Sequence, residues 1–129
     1  MQYSVAVNNA RLDQVEATTG TAPSLKIYSG SAPANCAAAD TGTLLATLVL
    51  PTDWMNAAAS AQKTLLGSWT GTASAGAAAT PTHFRIFQGA TCHIQGTCGI
   101  GTGELQVNGT ITSGQTVTVT AFQINSANT

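Results

Sequence analysis

Residues 82–99, THFRIFQGATCHIQGTCG, constrain the fold more than any other stretch of this sequence. Phe84, Ile86, Cys92, Ile94 and Cys98 share one parity, while His83, Arg85, His93 and Gln95 share the other. Such period-two alternation marks a half-buried strand, and Gly89 at its middle folds the stretch into a hairpin. Two connections compete. A two-residue Gly89-Ala90 turn suits a type II′ hairpin, but a regular ladder built from it puts Ile94 on the face opposite Phe84. Pairing Gln88 with Cys92 across Gly89-Ala90-Thr91 instead gathers the apolar residues on one face. A one-residue slip carries a whole strand to the wrong face, so the hydrophobic pattern outweighs the turn preference. The hairpin is therefore expected at the centre of a sheet with one face in the core. Phe84, Ile86 and Ile94 point inward, and Arg85, His83 and His93 point to solvent.

Around this hairpin, 129 residues make one domain, 1–129, large enough for a core without metal or disulfide staples. Only Arg11, Asp13, Glu16, Lys26, Asp40, Asp53, Lys63, Arg85 and Glu104 are charged. That is 7% of the chain, with a net charge of -1, where ordinary soluble domains carry roughly a quarter. Disordered chains have high net charge and few β-branched residues, so this composition implies a folded subunit packed against other protein. There is no basic stripe to hold nucleic acid. The start, MQYSVAVNNARLDQ, lacks the basic and apolar regions of a secretory signal. No apolar run reaches the roughly 18 residues of a membrane helix. A protein made and kept soluble in the cytoplasm, with no membrane partner, is expected.

Upstream of the hairpin, Ser4 is a helix N-cap, and Val5, Leu12 and Val15 form a narrow apolar stripe at helical spacing ending before Gly20. Ala6, Ala10 and Ala17 add helix propensity. Asn8-Asn9 interrupt the stripe, so a helix at 4–19 depends on tertiary docking. Pro23 opens a strand at 24–29, with Leu25 and Ile27 opposite Lys26 and Tyr28. Residues 30–42, GSAPANCAAADTG, read as a long surface loop. Residues 43–50 form an apolar strand expected to be buried on both faces, ended by Pro51-Thr52-Asp53. Residues 56–62 bridge, as a loop or one helical turn, to a strand at 64–69. Residues 71–80 hold only Gly, Ala, Ser and Thr, a connector with no means of burying a core.

Beyond the hairpin, GIGTG at 99–103 is a turn, 104–107 a short strand and 110–112 a brief pairing. Residues 115–124 alternate most cleanly, with Val117, Val119 and Ala121 opposite Thr116, Thr118 and Thr120. Residues 126–129 are expected to fray. Short strands punctuated by turns predict a mainly β, single-domain antiparallel β-sandwich or small barrel over 23–125, with one short N-terminal helix.

The titratable residues form no recognisable catalytic, cofactor or metal motif. Cys92 and His93 are adjacent, so on a strand they point to opposite faces and cannot share an ion. The His/Cys spacing fits no zinc pattern. No G-x-S-x-G occurs, and GIGTG lacks the strand–helix context of a dinucleotide fingerprint. Asp40 and Asp53 read as loop and turn residues rather than a glycosidase pair. Cys92 and Cys98, about 20 Å apart along one strand, are too distant for a disulfide and act as small hydrophobes. Cys36 sits in a loop, where a cross-link between subunits is the alternative to a free thiol. Trp54 and Trp69 supply core area or, less simply, a sugar-binding platform. The expectation is a non-enzyme with no catalytic residue, cofactor or metal.

The segments NARLDQV, LKIYSGSAPANCAAADTGTLLATLVL and HFRIF…QGT, followed by a terminal TVTV strand, give the chain a family likeness. It resembles small structural proteins of tailed-bacteriophage and prophage virions, in the same order over nearly its whole length. It departs from that pattern at Cys92, His93 and Cys98, where aliphatic residues are expected. The resemblance supplies no active-site residues and implies a virion structural protein, made in the host cytoplasm. The first expectation is a capsid decoration or cement protein, partnered by the major capsid protein and other virion proteins. A tail, neck or fibre component, or a carbohydrate-binding module using Trp54 or Trp69, is the alternative. The scarcity of charge adds a homo-oligomer, trimer or dimer, with loops 30–42 and 71–80 as its contacts.

Overall fold

A computed structural model describes residues 1–126. Helix α1 spans Val5–Thr19, with the Ser4 hydroxyl accepting the Val7 N–H at 3.2 Å and Gly20, at φ +92°, ending it. The strands follow: β1 (Ser24–Ser29), β2 (Thr43–Val49), β3 (Gln62–Thr64), β4 (Thr70–Thr72), β5 (Ala78–Ala79), β6 (His83–Gln88), β7 (Thr91–Gly99), β8 (Leu105–Val107), β9 (Ile111–Thr112) and β10 (Thr116–Asn125). The fold is mainly β with one N-terminal helix, as its alternation predicts. The main sheet runs β2-β1-β6-β7-β8-β10-β3, β4 also pairs with β10, and β5 and β9 form a separate ribbon. Strands β7 and β8 pair in parallel. A bridge between Ala46 and Ala73, with Ser74 N–H donating to Leu45 O at 2.8 Å, brings β2 round against the end of β4. The sheet thus curls into a half-barrel, the barrel-like member of the two expected architectures.

The hairpin sits in the middle of this sheet, but its connection differs from expectation. Gln88 pairs with Thr91, not Cys92, across the two-residue turn Gly89-Ala90. Gly89 takes φ +60°, which suits a glycine at the first central position of a type II′ turn. The ladder then shifts between Ile86 and Phe87, so that Phe87 opposes Cys92 while Ile86 opposes Ile94, leaving His93 as an extra residue. This β-bulge satisfies both the turn and the hydrophobic face. A second shift, between Val119 and Ala121 on β10, turns Phe122 inward beside Val117 and Val119 and leaves Ala121 exposed. The expected strict alternation through Ala121 breaks there.

The core lies inside the curl. Leu25, Ile27, Leu48, Phe84, Ile86 and Phe122 are buried in it. Trp54 and Trp69 are 0% and 1% exposed, with ring centroids 5.8 Å apart, and Trp69 lies 5.2 Å from Phe122. Their indole N–H groups donate to the carbonyls of Gly20 and of Trp54 and Leu66. Both tryptophans therefore serve the core, and neither presents a face to a sugar.

Four other expectations are corrected. Strand β2 is buried on one side only, because Leu44, Thr47 and Val49 on its outer side are exposed. Residues 64–69 are not one strand: β3 ends at Thr64, Gly67 turns the chain at φ +77°, and β4 begins after Trp69. The stretch 71–80 does reach the core, since Ala73 and Ala77 are buried and it contributes β4 and β5. Its small residues allow this: a Cβ on Gly71 would stand 3.0 Å from Leu48 Cγ and 3.2 Å from Thr47 O. Ser126 is tied down rather than frayed, its N–H donating to Ala61 O at 3.0 Å. The rest of that expected frayed tail, 127–129, lies outside the described residues.

Candidate functional site

Register builds the outer face of the central strands in rows. Thr47, Lys26, Arg85 and Gln95 stand side by side across β2, β1, β6 and β7, and Leu44, Tyr28, His83 and Thr97 form the next row. Loop 30–42 lies across them. Thr82 Oγ1 donates to Gly30 O at 2.6 Å and Gln95 Nε2 to Pro33 O at 3.0 Å. Arg85 Nη2 donates to Cys36 O at 2.9 Å, Ala38 O at 3.0 Å and Asn35 O at 3.3 Å, while Nη1 pairs with Asp40 Oδ1. Asn35 Oδ1 accepts the N–H groups of Ala37 and Ala38, turning the chain so that these carbonyls converge. A planar, permanently charged fork suits such a cluster of acceptors.

Arg85 and His83 were expected in solvent. They are 1% and 2% exposed, because the loop covers the face that alternation had assigned to water. The ladder shift at His93 also moves Cys92 off the core face and under the loop. There its Sγ lies 2.7 Å from Cys36 Sγ. Cys98, by contrast, is in the core as expected. Loop 30–42 is thus a cover fastened from beneath, not a free arm.

The electrostatics follow from this enclosure. Burial raises the Asp40 carboxyl, but hydrogen bonds from Tyr28 and Arg85 outweigh it and hold the group below its ordinary 3.8. Burial opposes the Arg85 charge, yet Asp40 keeps its pKa above the usual value. The Tyr28 phenol is pushed up by burial and then by Asp40. His83 stacks on Tyr28 at 5.0 Å, and burial holds its imidazole below 6.5, in the neutral form at pH 7. Burial and the Cys36 contact push the Cys92 thiol up to about 11, with Arg85 pulling it the other way.

A second polar cluster fixes the helix. Lys63, 2% exposed, donates to Asp13 and Glu16, each at 2.8 Å, and to Asn56 O at 2.9 Å. Asp13 Oδ1 also accepts Ala58 N–H at 2.8 Å, and Asn9 Oδ1 accepts Ala61 N–H at 2.9 Å. The helix docks through polar side chains that satisfy the backbone of loop 55–61. Of its expected apolar stripe, Leu12 is buried, Val15 half-buried and Val5 54% exposed.

Between α1 and the sheet lies an open cleft of about 430 Å³, lined by Val15, Phe84, His93, Ile94, Glu104 and Phe122 among others. Asp40 and Asp53, weighed as a carboxylate pair, sit apart: Asp40 over β6, Asp53 at a hollow beside Asp13 and Lys63. Among the described residues, no three His, Cys, Asp or Glu side chains converge to hold a metal ion. Among the described residues, no helix is long and apolar enough to cross a membrane.

Alternation exposed the chemistry-bearing residue types but not their meeting. Cys36, Asp40 and Arg85 come from loop and strand segments about 45 residues apart, and Cys92 joins them only through a bulge. The chain matches no protein-family model, no curated protein and no solved structure.

Proposed function

We propose that this protein is a virion structural subunit of a tailed phage or prophage, and most specifically a decoration protein that cements the outside of the head. The observation that carries this reading is where its few charges go. Among the described residues, five of the nine charged side chains (Asp13, Glu16, Lys63, Asp40 and Arg85) are paired within the chain in two clusters, with Lys63 and Arg85 buried and Asp13 and Asp40 about half exposed. Arg11 and Lys26 lie over the rings of Tyr3 and Phe87, at 4.9 and 4.7 Å. The rest of the outside carries many hydroxyl, amide and small side chains, with larger apolar ones such as Val5, Leu44, Val49 and Ile100 exposed among them. Such a surface loses little hydration of charge when covered, which favours permanent association over free diffusion. The resemblance of its segments to phage structural proteins supports the same reading.

A decoration protein acts by mass action. Binding the expanded shell but not its separated subunits lowers the free energy of the assembled head. The partners are the major capsid protein and further copies of this chain, as a trimer or dimer. Loops 30–42 and 71–80 take part only through their outer surfaces, since their backbones are committed within the chain.

Quantitative mass spectrometry of purified virions, with gold labelling of a tagged copy, tests this. Hundreds of copies per particle with label on the head are expected. A few tens, with label on the tail or neck, would place the protein there instead. Absence from particles would remove the virion reading altogether.

A further inference from the structure

We propose that Cys36 and Cys92 form a reversible intrachain disulfide that latches loop 30–42 onto the β6–β7 hairpin. Their sulfurs stand 2.7 Å apart and need close by less than about 1 Å to reach a disulfide bond length of roughly 2.05 Å. Both residues are held in place by other contacts. The Cys36 carbonyl accepts from Arg85 at 2.9 Å, and Arg85 also holds Asn35, Ala38 and Asp40 on either side of it. Cys92 is fixed by its pairing with Phe87 next to the bulge. The approach of the two sulfurs is therefore set by ladder and loop together.

The pair is also reachable. Cys36 and Cys92 are each half-buried and line an open hollow of about 290 Å³ with Ala38, Asp40, Arg85 and Phe87. That is room for one end of a small disulfide reagent. The Arg85 guanidinium only partly offsets the burial and Cys36 contact that raise the Cys92 thiol, so exchange is run at mildly alkaline pH to supply thiolate. Cys98 is buried in the core and has no part in this.

The reaction is thiol–disulfide exchange with a low-molecular-weight disulfide, RS–SR. One cysteine thiolate attacks a sulfur of RS–SR, forming a mixed disulfide and expelling RS⁻, which takes up the released proton. The second cysteine, as its thiolate, attacks the protein sulfur of that mixed disulfide. It expels the second RS⁻, which is protonated in turn. Two protein thiols are oxidised, RS–SR is reduced to two RSH, and the electron count balances. In reducing cytoplasm the loop stays hydrogen-bonded only, and in oxidising surroundings it becomes covalently closed. This holds for the chain alone and does not depend on the virion reading.

The test uses the full chain, purified reduced and then equilibrated with oxidised glutathione. Expected are loss of two of the three thiols, a monomer on a non-reducing gel, and a Cys36 peptide linked to a Cys92 peptide in non-reducing mass spectrometry. Closing so long a loop should raise the thermal midpoint by on the order of 10 °C, reversed by dithiothreitol. Cys36→Ser and Cys92→Ser should each abolish that shift and stop at a single glutathione adduct. Three retained thiols, a dimer joined through Cys36, or glutathione adducts on the wild-type chain that never resolve would each overturn the proposal. The peptide map decides the matter on wild-type protein even if a variant fails to fold.

Discussion

Arg85 supplies donors to three loop carbonyls and one carboxylate at once, so shortening it strips several acceptors together. Asp40 is 43% exposed and can recover water, whereas the carbonyls regain it only if the loop lifts. Arg85→Leu should therefore cost about 3 kcal/mol, the low end for breaking a buried charged pair. It should also expose loop 30–42 to proteases while the sheet persists. Ile86→Ala, at a fully buried core site, should cost about 2–5 kcal/mol without freeing the loop. Urea denaturation with limited proteolysis separates the two. Equal loop protection in both variants would show that Arg85 does not fasten the cover. The inward pair Phe84 and Ile86 was legible because parity records which residues share a face, whereas Ile94, expected buried with them, is only half-buried at the open cleft. The burial of Arg85 was not, because parity is blind to a loop arriving from about 45 residues upstream.

At the level of elements, α1 shows docking without an apolar face. Asn9, Asp13 and Glu16 satisfy the backbone of loop 55–61, and the two acids pair with Lys63 of β3, so the asparagines that interrupt the apolar stripe help attach the helix. This attachment should weaken in acid. The Lys63 hydrogen bond and then the Ala58 N–H hold Asp13 below its ordinary 3.8. A carboxyl depressed in the folded state contributes fully above its unfolded pKa and loses that contribution as pH falls through the folded value. Asp40, also depressed, behaves alike. The urea midpoint should therefore fall as pH drops from 5 towards 3. Lys63→Met, which removes Asp13's partner, should flatten part of that fall, and an unchanged slope would refute the ion-pair account. Strand positions outside 62–80 were readable from alternation, but the three register shifts were not. The one around His93 reconciles a local preference with a distant face, a II′ turn with the core.

For the molecule as a whole, closure comes from distant pairings. Strand β10 meets β8, β4 and β3 along its length, and the bridge from Ala46 to Ala73 brings the edge strand β2 round to the end of β4. Unfolding should be a single cooperative transition, with far-ultraviolet circular dichroism and tryptophan fluorescence giving the same midpoint. Two separate midpoints would mean that helix and half-barrel melt independently. The mainly β class and single helix followed from alternation and capping. The curl did not, since stretches such as 71–80 join the sheet through the very smallness that hid them. The attachment of α1 also has a temporal side. Its platform includes β3, which pairs with Gln123, Ile124 and Asn125, and Ser126 bonds Asn8 directly at 2.8 Å. The helix thus lacks its full platform until residue 125 has emerged from the ribosome, and a nascent chain cannot complete this fold before its last strand is made.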